Sequence, residues 1–206
     1  MFKKSILVVV SIAILSVAYA QAQSNFGVRA GLNFANMKFS GDGFSASPDM
    51  KIGFQLGVVG EFSVNESFAI QPGILLAQQG FQIKIVDEKV SMSLNYLQVP
   101  VNITFNADLG GANLLLHAGP YFGYGLFGKA KYDGESTDIK FGSGKDANLK
   151  APDFGFGFGA GVQFGAIQTG IGYNIGLLNL YPGSSSDGVK MKNKCLALTV
   201  TYLFGK

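Results

Sequence analysis

Residues 153–165 read DFGFGFGAGVQFG, with glycine at every odd position from 155 to 161 and Phe154, Phe156, Phe158 and Ala160 between. Glycine weakens helices and strands alike, so its use at every second residue needs a structural reason. A period of two is the strand period, because successive side chains point to opposite faces. One face here is phenylalanine; the other is Gly155, Gly157, Gly159, Gly161 and Gln163. A water-soluble barrel would cover its outer face with Lys, Glu, Asp and Ser. Turned inside out the pattern becomes coherent: phenylalanines meet hydrocarbon, and glycines line an interior too narrow for larger side chains.

The same alternation extends outward in both directions. From Gly27, Val28, Ala30, Leu32 and Phe34 share one face, with Arg29, Gly31 and Asn33 on the other. From Ile52, Phe54, Leu56, Val58 and Phe62 oppose Gly53, Gln55, Gly57 and Glu61. Six further segments follow, roughly 67–84, 92–106, 113–131, 153–165, 166–180 and 190–204. The expectation is an all-β, eight-stranded antiparallel up-and-down transmembrane β-barrel. Its bulkier lumen residues by parity include Tyr96, Leu115, Tyr121, Phe127 and Leu178, and strand six is the thin wall that makes room for them.

The connections alternate in length. Asn65-Glu66, ADLGGA at 107–112 and Gly165-Ala166 are hairpin turns, whereas SGDGFSASPDM, VDEKV, the segment from Tyr132 to Pro152 and YPGSSSDGVK are longer and more polar. Short turns on one rim and long loops on the other fit a periplasmic and an extracellular side. Near the long-loop rim the apolar set changes parity, to Met37 and Phe39 in strand one and to Phe81 and Ile83 in strand three. A β-bulge in each is the simplest reading; strand ends that leave the apolar environment would look the same. On the short-turn rim parity places Phe62, Phe68, Phe105, Phe164 and Phe204 outward, a periplasmic aromatic belt. Phe54, Tyr124, Phe154 and Tyr173 lie outward toward the long loops.

The N-terminus sets Lys3 and Lys4 before an apolar run and small-x-small sites ending at Ala20 or Ala22, a cleavable secretory signal peptide at 1–22 before a barrel at 23–206. Cleavage removes two lysines, so 16 basic residues become 14 against 13 acidic ones. A nearly neutral chain has no basic stripe for nucleic acid. Cys195, the single cysteine, has no disulfide partner and reads as a small buried apolar residue.

FGVRAGLNFANM at 26–37, QPGILLAQQGF at 71–81, LNYLQVPVNITF at 94–105, LHAGPYFGYGLFGK at 116–129 and the closing LTVTYLFGK together resemble the PorT-like outer membrane protein beta-barrel domain family of Gram-negative bacteria. The likeness covers essentially the whole mature chain. It implies an eight-stranded barrel of the cell outer membrane, in a family usually described only as porin-like, whose well-known member takes part in secretion and gliding.

Motifs for chemistry are sparse. Barrel enzymes that modify lipid need a nucleophile beside a histidine, and His117 lies in the lumen near the periplasmic rim with no serine at matching depth. Gly123-x-Gly125-x-x-Gly128 matches a dinucleotide fingerprint in form but sits inside a strand with no helix to follow. One histidine, one cysteine and scattered carboxylates give no metal-ligand spacing. No catalytic residue, cofactor or metal is therefore expected. Arg29 and Glu61 lie inside near the same rim and are expected to form a salt bridge, with Gln71, Asn102, Thr104, His117, Gln163 and Gln168 completing a structural polar plug. The reading is a non-enzymatic, monomeric barrel in outer-membrane lipid, structural or binding a protein through loop 132–152. The alternatives are a narrow porin-like channel, a subunit of a secretion machine and, last, a lipid-modifying enzyme.

Overall fold

The computed structural model describes residues 24–41, 43–85, 88–142, 147–183 and 188–205. The expected signal peptide and its cleavage point lie outside these residues. Ten strands form: β1 (Ser24–Gly41), β2 (Phe44–Ala46), β3 (Asp49–Ser63), β4 (Phe68–Ile85), β5 (Glu88–Asp108), β6 (Asn113–Tyr132), β7 (Glu135–Ile139), β8 (Pro152–Phe164), β9 (Ile167–Gly176) and β10 (Lys190–Phe204). Eight of them make an antiparallel ring in the order β1, β3, β4, β5, β6, β8, β9, β10, closed by pairing of β10 with β1. The other two are short additions within long loops, β2 folding back on β1 and β7 on β6. Closure runs without a break from Phe26↔Phe204 to Ser40↔Lys190. A closed ring leaves no bare strand edge, which hydrocarbon would penalise at several kcal/mol per unpaired backbone group.

The short turns carry their own chemistry. Asn65 Oδ1 accepts the amides of Ser67 and Phe68, and Asp108 Oδ1 accepts that of Gly110. Gly165 turns β8 into β9 with φ +54°, a conformation costly for any residue with a side chain.

The faces follow the expected inversion. Leu32, Leu56, Ile74, Ile103, Phe156, Ile171 and Leu198 are exposed on the outer wall, while Asn33, Gln55, Gln98, Asn102 and Gln168 are buried inside. The glycine row of β8 is explained differently from the expectation. A Cβ at Gly155, Gly159 or Gly161 would first meet the carbonyl oxygens of Ile175, Ile171 and Thr169 on the adjoining β9. Side chains come second, from the neighbouring strand β6: Tyr121 at Gly155 and His117 at Gly159. The glycines permit two strands to coil against each other and, as expected for Tyr121, leave room for lumen side chains, but these come from the adjoining β6 and not from a distant wall.

Three expectations fail for local reasons. Phe127 is not in the lumen: the β5–β6 register shifts between Asn95↔Phe127 and Tyr96↔Gly125, so Leu126 and Phe127 both face outward. Leu178 is likewise exposed, because β9 ends at Gly176 and parity ends with it. The bulge expected in strand one does not exist. Met37 keeps the same inward parity as Arg29 and Asn33, and what changes is the chemistry of the lumen. Phe81 on β4 also stays in phase and buried; the register shift near it lies between Met50 and Gln55 of β3.

Met37 and Phe81 belong to an apolar stopper at the long-loop end. Leu94 and Tyr96 join them from β5, Ile139 from β7, and Leu149 and Leu180 from the loops. Burial of such side chains stabilises by roughly 1.5–3 kcal/mol each, which holds the loops down over the mouth.

Candidate functional site

The interior is organised in three levels. At the short-turn end, Arg29 reaches inward from β1. Its Nε donates to Thr201 Oγ1 on β10 at 2.8 Å and its Nη2 to Gln71 Oε1 on β4 at 2.6 Å. The Gln71 amide donates to Glu61 Oε2 at 3.2 Å and to Gln168 Oε1 at 3.1 Å. Gln168 in turn donates to Glu61 Oε2 at 2.7 Å and Gln163 Oε1 at 3.1 Å. Glu61 is only 1% exposed, so a charge in this position needs these donors to offset its desolvation. Arg29 and Glu61 are not cross-strand partners. Arg29 stands opposite Gly57 and Glu61 opposite Asn25, and the amide of Gln71 bridges between the two charges.

Above this network lies a cavity of about 70 Å³, lined among others by Arg29, Gln71, Gln98, Asn102, His117 and Tyr121. A water needs roughly 10–15 Å³ of such space, so the cavity holds a few waters. Thr104 also borders it but donates its hydroxyl to the Ala69 carbonyl at 3.2 Å. His117 lies against Gly159 and Gly172 and makes no hydrogen bond among the described residues, so it borders the polar cluster without joining it. The predicted set thus divides: Arg29, Glu61, Gln71, Gln163 and Gln168 form one network, while Asn102, Thr104 and His117 line the space above.

The third level was not anticipated. Asp153, the first residue of the quoted stretch, is 1% exposed; its Oδ2 accepts from Asn193 Nδ2 at 3.0 Å and from Tyr121 Oη at 3.3 Å. Its Oδ1, the Oδ1 of Asn193 and the Oη of Tyr96 are buried without hydrogen-bond partners. Asp153 occupies the same odd row as the glycines after it, so parity alone was the signal that could have found it. The buried apolar cluster that includes Met37, Phe81 and Leu94 lies beyond this level.

At the short-turn rim, Phe62 is the penultimate residue of β3, Phe68 begins β4 opposite Phe105 with ring centroids 5.2 Å apart, Phe164 ends β8 and Phe204 ends β10. Phe26, edge-on to Phe62 at 5.9 Å, and Tyr202, beside Phe204 at 5.4 Å, extend this row of rings. Among the described residues no group of three His, Cys, Asp or Glu side chains comes together. Among the described residues no helix is long and apolar enough to cross a membrane, a statement that does not bear on strands.

Among curated proteins no relative matches. Solved structures similar to this chain at low identity include the following three. The attachment invasion locus protein Ail of Yersinia pestis is 17% identical over 88% of this chain and 99% of its own, with a TM-score of 0.43. Neisserial surface protein A is 14% identical over 87% and 98%, with a TM-score of 0.47. The outer membrane protein OprG from Pseudomonas aeruginosa is 10% identical over 89% and 97%, with a TM-score of 0.48. A family model described as outer membrane protein beta-barrel domain matches residues 19–181, up to the loop before β10. With well over half of its length matched, and with its strands closed into an antiparallel ring, the chain belongs to the outer membrane protein beta-barrel domain family and is a protein of the outer membrane.

Proposed function

We propose that this protein is a non-enzymatic, monomeric barrel with a closed lumen, which acts through its long loops rather than by conducting solute or transforming it. The observation that carries this reading is the pair of obstructions on either side of the interior cavity: the Arg29–Gln71–Glu61–Gln168 network at one end and the stopper built on Met37, Phe81 and Leu94 at the other. Permeation needs a continuous water path, and eight strands leave little room for one. The polar network is then structural, satisfying the lumen's charges while joining β1, β3, β4, β8, β9 and β10. The aromatic residues Phe62, Phe68, Phe105, Phe164 and Phe204 set the depth of the periplasmic interface.

The loop between Tyr132 and Pro152 is the favoured binding element. Ile139 and Leu149 anchor it to the stopper, while Glu135, Asp138 and Lys140 remain exposed. Rigid attachment with polar side chains presented outward suits recognition of a protein. Single-channel recording of the purified protein in a planar bilayer tests the closed lumen: a flat baseline is expected, and reproducible conductance steps would overturn it. Co-purification from native outer membranes tests the loop. Partners lost when residues 133–138 are replaced by a Gly/Ser linker support it. Such partners could form a secretion assembly, as the resemblance to PorT-like barrels implies.

A further inference from the structure

The outer wall carries a feature that the lumen does not explain. Along the β1–β10 seam the outward rungs are Phe26–Phe204, Val28–Tyr202, Ala30–Val200, Leu32–Leu198 and Phe34–Leu196. The next three are Asn36–Lys194, Lys38–Lys192 and Ser40–Lys190. Within one rung the surface changes from wholly apolar to four lysines. Phe26 to Phe34 spans eight residues, which at ~3.4 Å each and a tilt near 40° is roughly 21 Å of membrane height. The apolar band of such barrels is about 25 Å tall, so the lysines stand where hydrocarbon gives way to headgroups on the long-loop side.

Lys38 and Lys192 are direct cross-strand neighbours, and like charges so placed repel. No carboxylate on the adjoining strands relieves them. β1, β9 and β10 contain neither Asp nor Glu, and β3 has only Asp49, which pairs with Gln82 of β4, and Glu61, which lies in the lumen at the far end. Among the described residues none of the four lysines forms an ion pair. The outward lysines of β6 are arranged otherwise: Lys129 faces Asp138 of β7, and Lys131 faces Ser136, next to Glu135. Among the described residues, positive charge at headgroup depth is unbalanced on this seam and balanced on β6, an arrangement that points to an anionic ligand at the first.

We infer that the β1–β10 seam binds a phosphate of the glycolipid forming the outer leaflet, seated between Lys38 and Lys192 with Lys194 beneath, while Phe34 and Leu196 contact its acyl chains. Lysine stems lie along apolar surface with the ammonium raised to the interface, which suits this geometry. The site is on the lipid-facing wall and is independent of whether the lumen conducts.

The test uses the full mature barrel in phosphatidylcholine nanodiscs with bisphosphorylated lipid A as the probe. Bound lipid A is counted by native mass spectrometry after transfer to detergent. Three lysines near an anionic surface contribute about 1 kcal/mol each, so a Lys38→Gln, Lys192→Gln, Lys194→Gln variant is expected to lose lipid A by tenfold or more. A Lys129→Gln, Lys131→Gln control, which removes two charges against three, is expected to stay within about twofold of the parent. Lipid A stripped of its phosphates should not be retained. Millimolar inorganic phosphate should leave retention unchanged, and displacement by it would reveal a free-anion site and overturn the lipid assignment. Equal retention by the triple variant, or equal retention of dephosphorylated lipid A, would overturn the inference as well. Lys192→Gln alone guards against misfolding. Relief of the Lys38–Lys192 repulsion should make it at least as stable as the parent in phosphatidylcholine, yet less stabilised by lipid A; the absence of that reversal counts against the site.

Discussion

Substitution of Gly159 by alanine separates two explanations of the glycine row. A Cβ there would collide with the Ile171 carbonyl oxygen and would itself lie 2.6 Å from His117 Cε1 and 2.7 Å from Gly172 Cα. Carbon–carbon contacts settle at ~3.5–4.0 Å, so the β8 and β9 main chains would have to part by roughly 1 Å. Overpacking of this kind costs typically 1–3 kcal/mol, and a backbone obstacle that cannot change rotamer puts Gly159→Ala at about 3 kcal/mol. Gly123 on β6 provides the comparison. Its Cβ would lie 3.4 Å from Asp153 Cβ and 3.6 Å from Tyr96 Cδ1, which are ordinary contacts. Gly123→Ala should be neutral or stabilising by about 0.4–1 kcal/mol through the unfolded chain. Urea titration in liposomes, followed by the gel shift between unboiled folded and boiled unfolded protein, should separate the variants by about 3 kcal/mol, some two decades in the unfolding equilibrium. Adding His117→Ala should restore less than about 1 kcal/mol, because the β9 backbone remains. Equal midpoints for the two alanine variants, or full rescue by His117→Ala, would refute the argument that strand coiling demands glycine.

The buried charges should behave as one unit: Arg29→Met and Glu61→Ala should each cost about 3–5 kcal/mol by urea titration, with the double variant costing clearly less than their sum. Asp153→Asn should stay within about 1 kcal/mol of the parent because it keeps an oxygen for Tyr121 and Asn193, whereas Asp153→Leu should cost about 1–3 kcal/mol by orphaning both. The chain contains no tryptophan, so single-tryptophan variants report location cleanly. Leu126→Trp and Phe127→Trp should both be quenched by brominated lipid and Tyr96→Trp should not, a pattern that strict alternation along β6 cannot produce.

Parity made much of this barrel readable because hydrocarbon and a narrow lumen impose opposite chemistries on alternate residues. Arg29, Glu61, Gln71, Gln163 and Gln168 could be placed inside on that ground alone. Thr201, which takes the Arg29 Nε–H, could not, since its nearness depends on the register of a seam between chain ends. Met37 and Phe81 were misassigned because alternation carries an assumption that the lumen is polar from end to end. Toward the long loops the interior is itself apolar, and residues such as Leu149 and Leu180 reach it from loops that have no periodicity. Phe127 escaped for another reason: Leu126 and Phe127 both suit lipid, so a bulge that turns them to the same side leaves no trace in composition. The nearness of β9 to the β8 glycines is a distance between main chains, to which side-chain patterns are blind.

The seam between β1 and β10 has a consequence for assembly order. Its hydrogen-bonded partners are as much as 178 positions apart, and Arg29 grips Thr201 across 172. The first strand to emerge during export must therefore wait for the last. Throughout that interval two templates of naked amides and carbonyls coexist in the periplasm, each competent to recruit a second copy of the polypeptide. Nascent chains thus need an escort until β10 arrives, and a truncation before residue 190 would yield an unsealed, aggregation-prone sheet instead of a smaller cylinder.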